Sequence, residues 1–459
     1  MKTVALYNLG CKVNSYEMEG MGQKLREKGY HIVPFEEKAD IYVVNTCTVT
    51  NIADRKSRQI LHRARQLNPD AVVVAVGCYV QTGMANIEKD DGIDLAIGNN
   101  HKKDIAELLE RYLEERRETE GTPRGQRSKT LGGATVTDMG GSCEYEEMQL
   151  RQPTEHTRAY IKIQDGCNQF CSYCVIPYAR GRVRSRRAED ILQEIRGLAA
   201  TGFREVVLTG IHISSYGMDF GDSRATTAGI GGNHVSLIEL AERIHEIPGL
   251  DRIRLGSLEP RIINRETAGR LAALPKVCPH FHLSLQSGCD ATLKRMNRHY
   301  TTGEYYTCVE ELRRFFHRPA ITTDVIVGFP GETEEEFART KAFLEQVNFY
   351  EMHVFKYSRR NGTAAASMPG QVPEAVKVKR SSELLELTRA QSRAFRAHYI
   401  GGEAEVLLEE RREIEGRMLL TGHTGDYVKV AVEPAEGIME ENMLVTVPVR
   451  GFLTDEILI

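Results

Sequence analysis

Cys167, Cys171 and Cys174 stand in the stretch DGCNQFCSYC, with three residues between the first pair and two between the second. Three thiolates this close can hold three irons of a [4Fe–4S] cube and leave the fourth iron open to another ligand. A structural zinc site normally takes four ligands, commonly as two separated pairs, so zinc here would need a remote fourth donor. Three further cysteines, Cys11, Cys47 and Cys78, lie far apart, yet each closes an apolar run, at the ends of ALYNLGC, YVVNTC and VVAVGC. In a parallel sheet those ends share one edge, the edge where ligands bind. Helices starting just beyond it direct their N-terminal dipoles at an anionic guest. One thiol at a strand end reads ordinarily as a small core residue. Three at corresponding ends point to a second three-cysteine cluster. Cys143, Cys278, Cys289 and Cys308 match neither pattern and read as structural.

The elements around these thiols follow from hydrophobic periodicity. Over residues 1–112, β-branched runs (TVALYNLGC, IYVVNTC, AVVVAVGC, DLAIGNN) alternate with amphipathic stretches from Asn14 to Lys28 and from Thr50 to Leu67. Ile52, Ile60, Ala64 and Leu67 would share a face of the second helix. Such alternation predicts a Rossmann-like parallel α/β domain with helices on both faces. Residues 113–152 are polar and rich in Gly, Thr and Arg, and read as a linker or irregular excursion. Six strand runs separated by helical patterns fill residues 153–385, from AYIKIQDGC to EMHVFKYSR, with Thr333 and Glu336 forming a capping box. That is the pattern of a partial (β/α)6 barrel, whose strand C-termini would build the site. Cys167 ends the first of these strands. After a charged helix, about Pro373 to Tyr399, residues 390–459 hold short strands without helices, predicting a small antiparallel β-barrel of the kind that binds RNA.

The net charge of −4 leaves no global basic field, so nucleic acid would have to meet local patches. One such patch is the run Arg180, Arg182, Arg184, Arg186 and Arg187, a basic strip suited to phosphates if extended. The alternative is a solvated, charge-balanced loop. The Gly-rich segment from Gly217 to Gly232 follows a strand and reads as a lid or a flexible insertion. No apolar run reaches the eighteen residues of a membrane span, and the opening MKTVALYNLG is too short for a signal peptide. The expectation is a cytoplasmic protein whose thiols stay reduced, which favours metal or catalytic roles for clustered cysteines.

The stretch CSYCVIPYARGRVRSR resembles the signature of the radical S-adenosylmethionine (SAM) enzymes, with Tyr173 as the aromatic before the last cysteine. The resemblance implies that SAM chelates the open iron and is cleaved to a 5′-deoxyadenosyl radical that abstracts hydrogen from a C–H bond. It places Gly210, Glu259, Gln286 and Gly328, at strand ends or in DVIVGFPGET, as candidates to bind SAM. With NLGCKVN, NTCTVT and VGCYVQ added, nearly the whole chain resembles the methylthiotransferases: an auxiliary [4Fe–4S] domain, a radical-SAM domain and a C-terminal TRAM domain. Two [4Fe–4S] clusters and SAM are the cofactors this implies, and no general base stands out.

GCKVNSYEMEG looks most like the branch that acts on N6-threonylcarbamoyladenosine at position 37 of tRNA, replacing its C2–H with C2–SCH3. The implied partners are the tRNA anticodon loop, an electron donor such as flavodoxin or ferredoxin, and a sulfur source, with no membrane. Isopentenyladenosine in tRNA or a ribosomal-protein aspartate is the alternative substrate. A non-catalytic two-cluster electron carrier would explain the thiols but not a SAM-sized barrel. A zinc-dependent RNA-binding module would be colourless.

Overall fold

The computed structural model describes residues 2–119, 127–141, 144–151, 157–220, 235–433 and 439–459. Cys143 and most of the Gly-rich segment, from residue 221 on, lie outside the described residues.

The first sheet is parallel throughout, in the order β2-β1-β3-β4-β5, with β1 Thr3–Asn8, β2 His31–Val33, β3 Ile41–Thr46, β4 Val72–Gly77 and β5 Leu95–Ile97. Every residue of β3 and β4 is buried, as expected for strands covered on both faces. Val43 and Val74 face the helices Lys12–Glu27 and Ile105–Glu118 through Met18, Met21 and Leu109. Tyr42, Val44 and Val73 face the helix Asn51–Leu67 through Leu61 and Ala64. Thr50 caps that helix by accepting from the Ala53 N–H. Ile52 departs from expectation: it lies in the first turn of its helix and is 64% exposed.

The stretch expected as a linker is structured where described. The last helix of the domain runs on to Glu118, and Leu131, Met148 and Leu150 are buried in the same core. Thr135 Oγ1 donates to Ala96 O at 2.6 Å and Lys129 Nζ to Asp90 O at 2.6 Å, so this polar segment clips onto the sheet by hydrogen bonds. Sparse apolar residues hid that packing from periodicity.

Six strands then form the partial barrel: β6 Ala159–Asp165, β8 Glu205–Gly210, β9 Arg252–Leu255, β10 His280–His282, β11 Ala320–Val327 and β12 Glu351–Lys356. A two-residue antiparallel strand, β7 Arg184–Ser185, flanks β6. The sheets β7-β6-β8-β9 and β10-β11-β12 are joined by parallel bridges at Ile253–Val277 and Leu258–Leu283. Outward residues such as Ile161, Leu208 and Phe281 pack under the surrounding helices. Polar side chains on the alternate positions pair with one another, as where Arg254 donates to Glu205 at 2.7 Å, and Lys162, His280 and Asp324 belong to the same strands. The capping box of Thr333 with Glu336 opens the helix Glu334–Val347.

The C-terminal strands β13 Glu403–Ile414, β14 Arg417–Thr424, β15 Lys429–Val432, β16 Leu444–Pro448 and β17 Ile457–Leu458 form one sheet in the order β16-β13-β14-β15-β17. Its pairs are antiparallel except β15–β17, which is parallel. The sheet docks at the N-terminal ends of the barrel strands. Arg252 donates to His423 O at 2.9 Å and Arg254 to Gly425 O at 2.8 Å. Tyr427 stacks between His280 and His423 with ring centroids 5.0 and 4.6 Å away. The cysteines lie beyond the other end.

Candidate active site between the first two domains

All six patterned cysteines line one cavity of about 450 Å³ between the first sheet and the barrel. On one wall, Cys11, Cys47 and Cys78 follow the ends of β1, β3 and β4, which are neighbours in the sheet. Adjacent strand ends thus bring together thiols 31 or more residues apart. Gly10, at φ +108°, carries the chain from β1 into its helix, and a Cβ there would stand 3.1 Å from the Cys47 sulfur. Gly77, at φ +97°, makes the same turn before Cys78. The closeness of these strand ends therefore depends on glycine.

The opposite wall carries Cys167, Cys171 and Cys174 in the loop after β6. Gly166, at φ +71°, comes so close to the returning chain that a Cβ would sit 1.8 Å from Arg182 O. The Cys167 N–H donates to Gly181 O at 3.0 Å, tying the start of the loop to its returning end, and the Cys174 N–H donates to Cys171 O at 2.9 Å, closing a turn between those two thiols. Burial pushes the thiols of Cys47 and Cys167 up to about 11 and that of Cys174 to about 12. Taking them as thiolate ligands therefore means displacing protons.

Donors already point at sulfur. Arg180 Nε lies 3.3 Å from Cys78 Sγ, Asn99 Nδ2 3.6 Å from the same atom, and Arg298 Nη1 3.3 Å from Cys171 Sγ. Such N–H···S contacts offset thiolate charge and tune an iron–sulfur cluster. Two cysteine trios on facing walls, each with donors aimed at sulfur, fit two three-thiolate clusters.

The arginine strip corrects the expectation of an RNA contact. Arg180, Arg184 and Arg186 are buried, and only Arg182 and Arg187 are exposed. Arg180 Nη1 donates to Glu17 Oε1 at 2.8 Å and to Asp165 at 3.1 Å, while its Nη2 donates to Asn14 Oδ1 at 2.7 Å. Lys162 and Lys102 also pair with Glu17. Burial alone would raise the Glu17 carboxyl, but Arg180, Lys102 and Lys162 hold it well below the usual carboxylate range. Asp165 is likewise held low, with Arg180, Lys162 and Arg184 outweighing its burial. Arg186 pairs with Glu147 and Glu194, and Arg184 Nη2 donates to Arg180 O at 2.9 Å. These arginines answer to buried carboxylates at the domain junction, which sequence spacing cannot show. On the far side of the cavity, Arg360 closes the same junction by donating to Asp54 and Thr48, each at 2.6 Å.

Of the residues expected around SAM, Tyr173, Gly210, Glu259 and Gln286 line the cavity. A Cβ on Gly210 would meet Ile213 at 2.8 Å and Gln164 O at 3.0 Å. Glu259 accepts from Arg261 at 2.7 Å. Gly328 is not among the lining residues: the Lys377 stem covers it, and its N–H donates to Glu332 at 2.6 Å. The cavity also takes in Asn14, His212, Ser284, Arg298, Asp324 and Arg360, which sequence reading did not single out. Only Asn14 had a signal, lying three residues after Cys11. Burial lowers the His212 imidazole to about 4, so it is neutral at pH 7, and its Nε2 is buried without a hydrogen bond. Cys278, Cys289 and Cys308 are buried outside the cavity.

Comparison with known proteins agrees with this geometry. Residues 161–344 match the Radical SAM superfamily and residues 3–98 the Uncharacterized protein family UPF0004. Among solved structures, the radical SAM methyltransferase TsrM of Kitasatospora setae superposes with a TM-score of 0.55 at 18% identity, over 80% of this chain and 74% of that one. Fold and thiol triplet thus define a radical-SAM barrel enzyme, which carries with it SAM and a [4Fe–4S] cluster. The chain is 38% identical to the threonylcarbamoyladenosine tRNA methylthiotransferase MtaB of Bacillus subtilis, over 99% of this chain and 96% of that protein. Its identity to MtaB of Aquifex aeolicus is 38%, over 97% and 99%. A tRNA-2-methylthio-N(6)-dimethylallyladenosine synthase of Moorella thermoacetica is 36% identical, over 89% and 87%. The chain belongs to the radical-SAM methylthiotransferase family.

Proposed function

We propose that the protein methylthiolates C2 of N6-threonylcarbamoyladenosine at position 37 of tRNA. The observation that carries the reading is the single cavity lined by both cysteine trios, in a chain matched almost end to end by two MtaB proteins. We assign Cys167, Cys171 and Cys174 as ligands of the radical-SAM cluster, and Cys11, Cys47 and Cys78 as ligands of an auxiliary [4Fe–4S] cluster. When bound, these groups supply reductive SAM cleavage at one wall and a methylthio donor at the other.

The chain's own part is positioning. Tyr173, Gly210, Glu259 and Gln286 hold SAM across the strand ends. From the barrel side Arg298 donates toward the Cys171 sulfur and Arg180 reaches across to the Cys78 sulfur, and the Glu17 and Arg360 ion pairs fix the walls' separation. Burial of both junctions keeps water away from a radical. Exposed Arg182 and Arg187 remain candidates for anticodon-loop phosphates. The C-terminal sheet, at the other end of the barrel, acts as a TRAM-like contact for tRNA outside the modified loop. A flavodoxin or ferredoxin supplies electrons, a sulfur source replenishes the auxiliary site, and the reaction takes place in the cytoplasm.

The test presents purified tRNAs carrying threonylcarbamoyladenosine or isopentenyladenosine to reconstituted enzyme with SAM, reductant and sulfide, with nucleosides read by mass spectrometry. Conversion of the first is expected. Conversion of the second alone would overturn the substrate assignment.

A further inference from the structure

Below the cysteines the barrel strands carry a second cluster of ligand-type side chains. Ser284, Ile326 and Phe355 line the cavity, and two residues earlier along the same three chain segments stand His282, Asp324 and His353. Asp324 is paired with His353 in the β11–β12 register, as Ile326 is with Phe355. At roughly 3.3 Å per residue, these three backbone positions lie about 6–7 Å farther from the cysteines, where His282 and Asp324 are half-buried, His353 is exposed and the Asp324 side chain still reaches the cavity. One nitrogen of each imidazole and one carboxylate oxygen of Asp324 lie within 4.8 Å of one another. His282 Nδ1 faces Thr322 Oγ1 at 3.1 Å. Its Nε2 stands 3.3 Å from Asp324 Oδ2, yet is buried without a formed hydrogen bond. The His282 and His353 rings stack at 5.9 Å.

We propose that His282, Asp324 and His353 form the pocket that reads the N6 substituent of the target adenosine. The two imidazoles donate to its carboxylate, and Asp324 accepts from its hydroxyl or carbamoyl N–H. The inference rests on the substrate class proposed above and adds the residues that select it. An isopentenyl group seated here would strip water from three polar side chains and give none of them a partner. Sites built to hydrogen-bond a substituent reject analogues that lack it far more strongly than apolar pockets reject an extra group. Two imidazoles and one carboxylate are also a donor set for a transition metal, so metal content is one arm of the test.

The test uses the reconstituted holoenzyme, wild type and with His353→Leu, His353→Gln or Asp324→Asn. Each preparation is given tRNA with threonylcarbamoyladenosine and the same tRNA with plain adenosine at that position. The readout is the ratio of kcat/KM for the two tRNAs, in which losses of cluster or folded protein cancel. Where turnover is too slow, the ratio of the two Kd values replaces it. His353→Leu and Asp324→Asn should each cut the wild-type ratio about ten- to hundredfold, and His353→Gln should retain most of it. Unchanged ratios in both would overturn the pocket. So would a stoichiometric non-cluster metal in the wild type that His353→Leu removes. A wild-type enzyme that converts only isopentenyl tRNA would overturn the substrate reading itself, a distinguishable failure.

Discussion

The two walls of the cavity reach the same donor set by different routes. Cys167, Cys171 and Cys174 are held by one loop whose own backbone bonds fold them together. Cys11, Cys47 and Cys78 are held by three strand ends, and so by the whole buried sheet beneath them. A local site carries its geometry in a few residues, whereas a dispersed one borrows it from the domain. Arg180 links the two: it sits six residues after Cys174, yet its guanidinium serves Glu17, Asn14 and the Cys78 sulfur on the other wall.

The largest expected effect comes from breaking the local wall. Alanine at Cys167, Cys171 and Cys174 together should remove about four of eight irons and abolish 5′-deoxyadenosine formation, with the other cluster retained. Iron assay and chromatography of the SAM products check both points.

Cutting the link comes next. Arg180→Ala leaves Asp165 and Glu17 buried with only lysines and Arg184 to offset them, and should cost about 3 kcal/mol, seen as a lower thermal midpoint. Lysine should not rescue it, because one ammonium cannot reach Glu17, Asn14 and Cys78 together. The folded carboxyls of Glu17 and Asp165 lie below their ordinary values of 4.5 and 3.8. Their contribution is therefore complete above about pH 4.5 and is lost as pH falls through the lower folded values. The acid limb of a stability–pH curve should be shallower in Arg180→Ala.

The contrast between walls also explains what could be read in advance. The local trio is legible from spacing alone. The dispersed trio is legible because continuous apolar runs mark buried parallel strands, and a cysteine closing three of them falls on one edge. Arg180, Arg184 and Arg186 look like a phosphate strip because their partners, Glu17, Asp165 and Glu194, are distant in sequence or unmarked by pattern. Arg298 and Asp324 were invisible for the same reason: each owes its place to barrel closure. Met148 and Leu150 entered the core from a stretch too polar to show periodicity.

The smallest effect sharpens the division within the arginine run. Arg182→Ala with Arg187→Ala should weaken tRNA binding a few-fold, since both side chains are exposed. The salt dependence of affinity should also fall, by about one unit of slope for each phosphate the arginines had neutralised. A filter-binding titration against salt measures it.

The most direct test of two walls with two jobs is the reaction of Cys11→Ala/Cys47→Ala/Cys78→Ala. This variant, reconstituted and given SAM, reductant and substrate tRNA, should hold about four irons, still form 5′-deoxyadenosine, and transfer no methylthio group. Eight irons in the variant, or loss of SAM cleavage while its remaining cluster is intact, would contradict it.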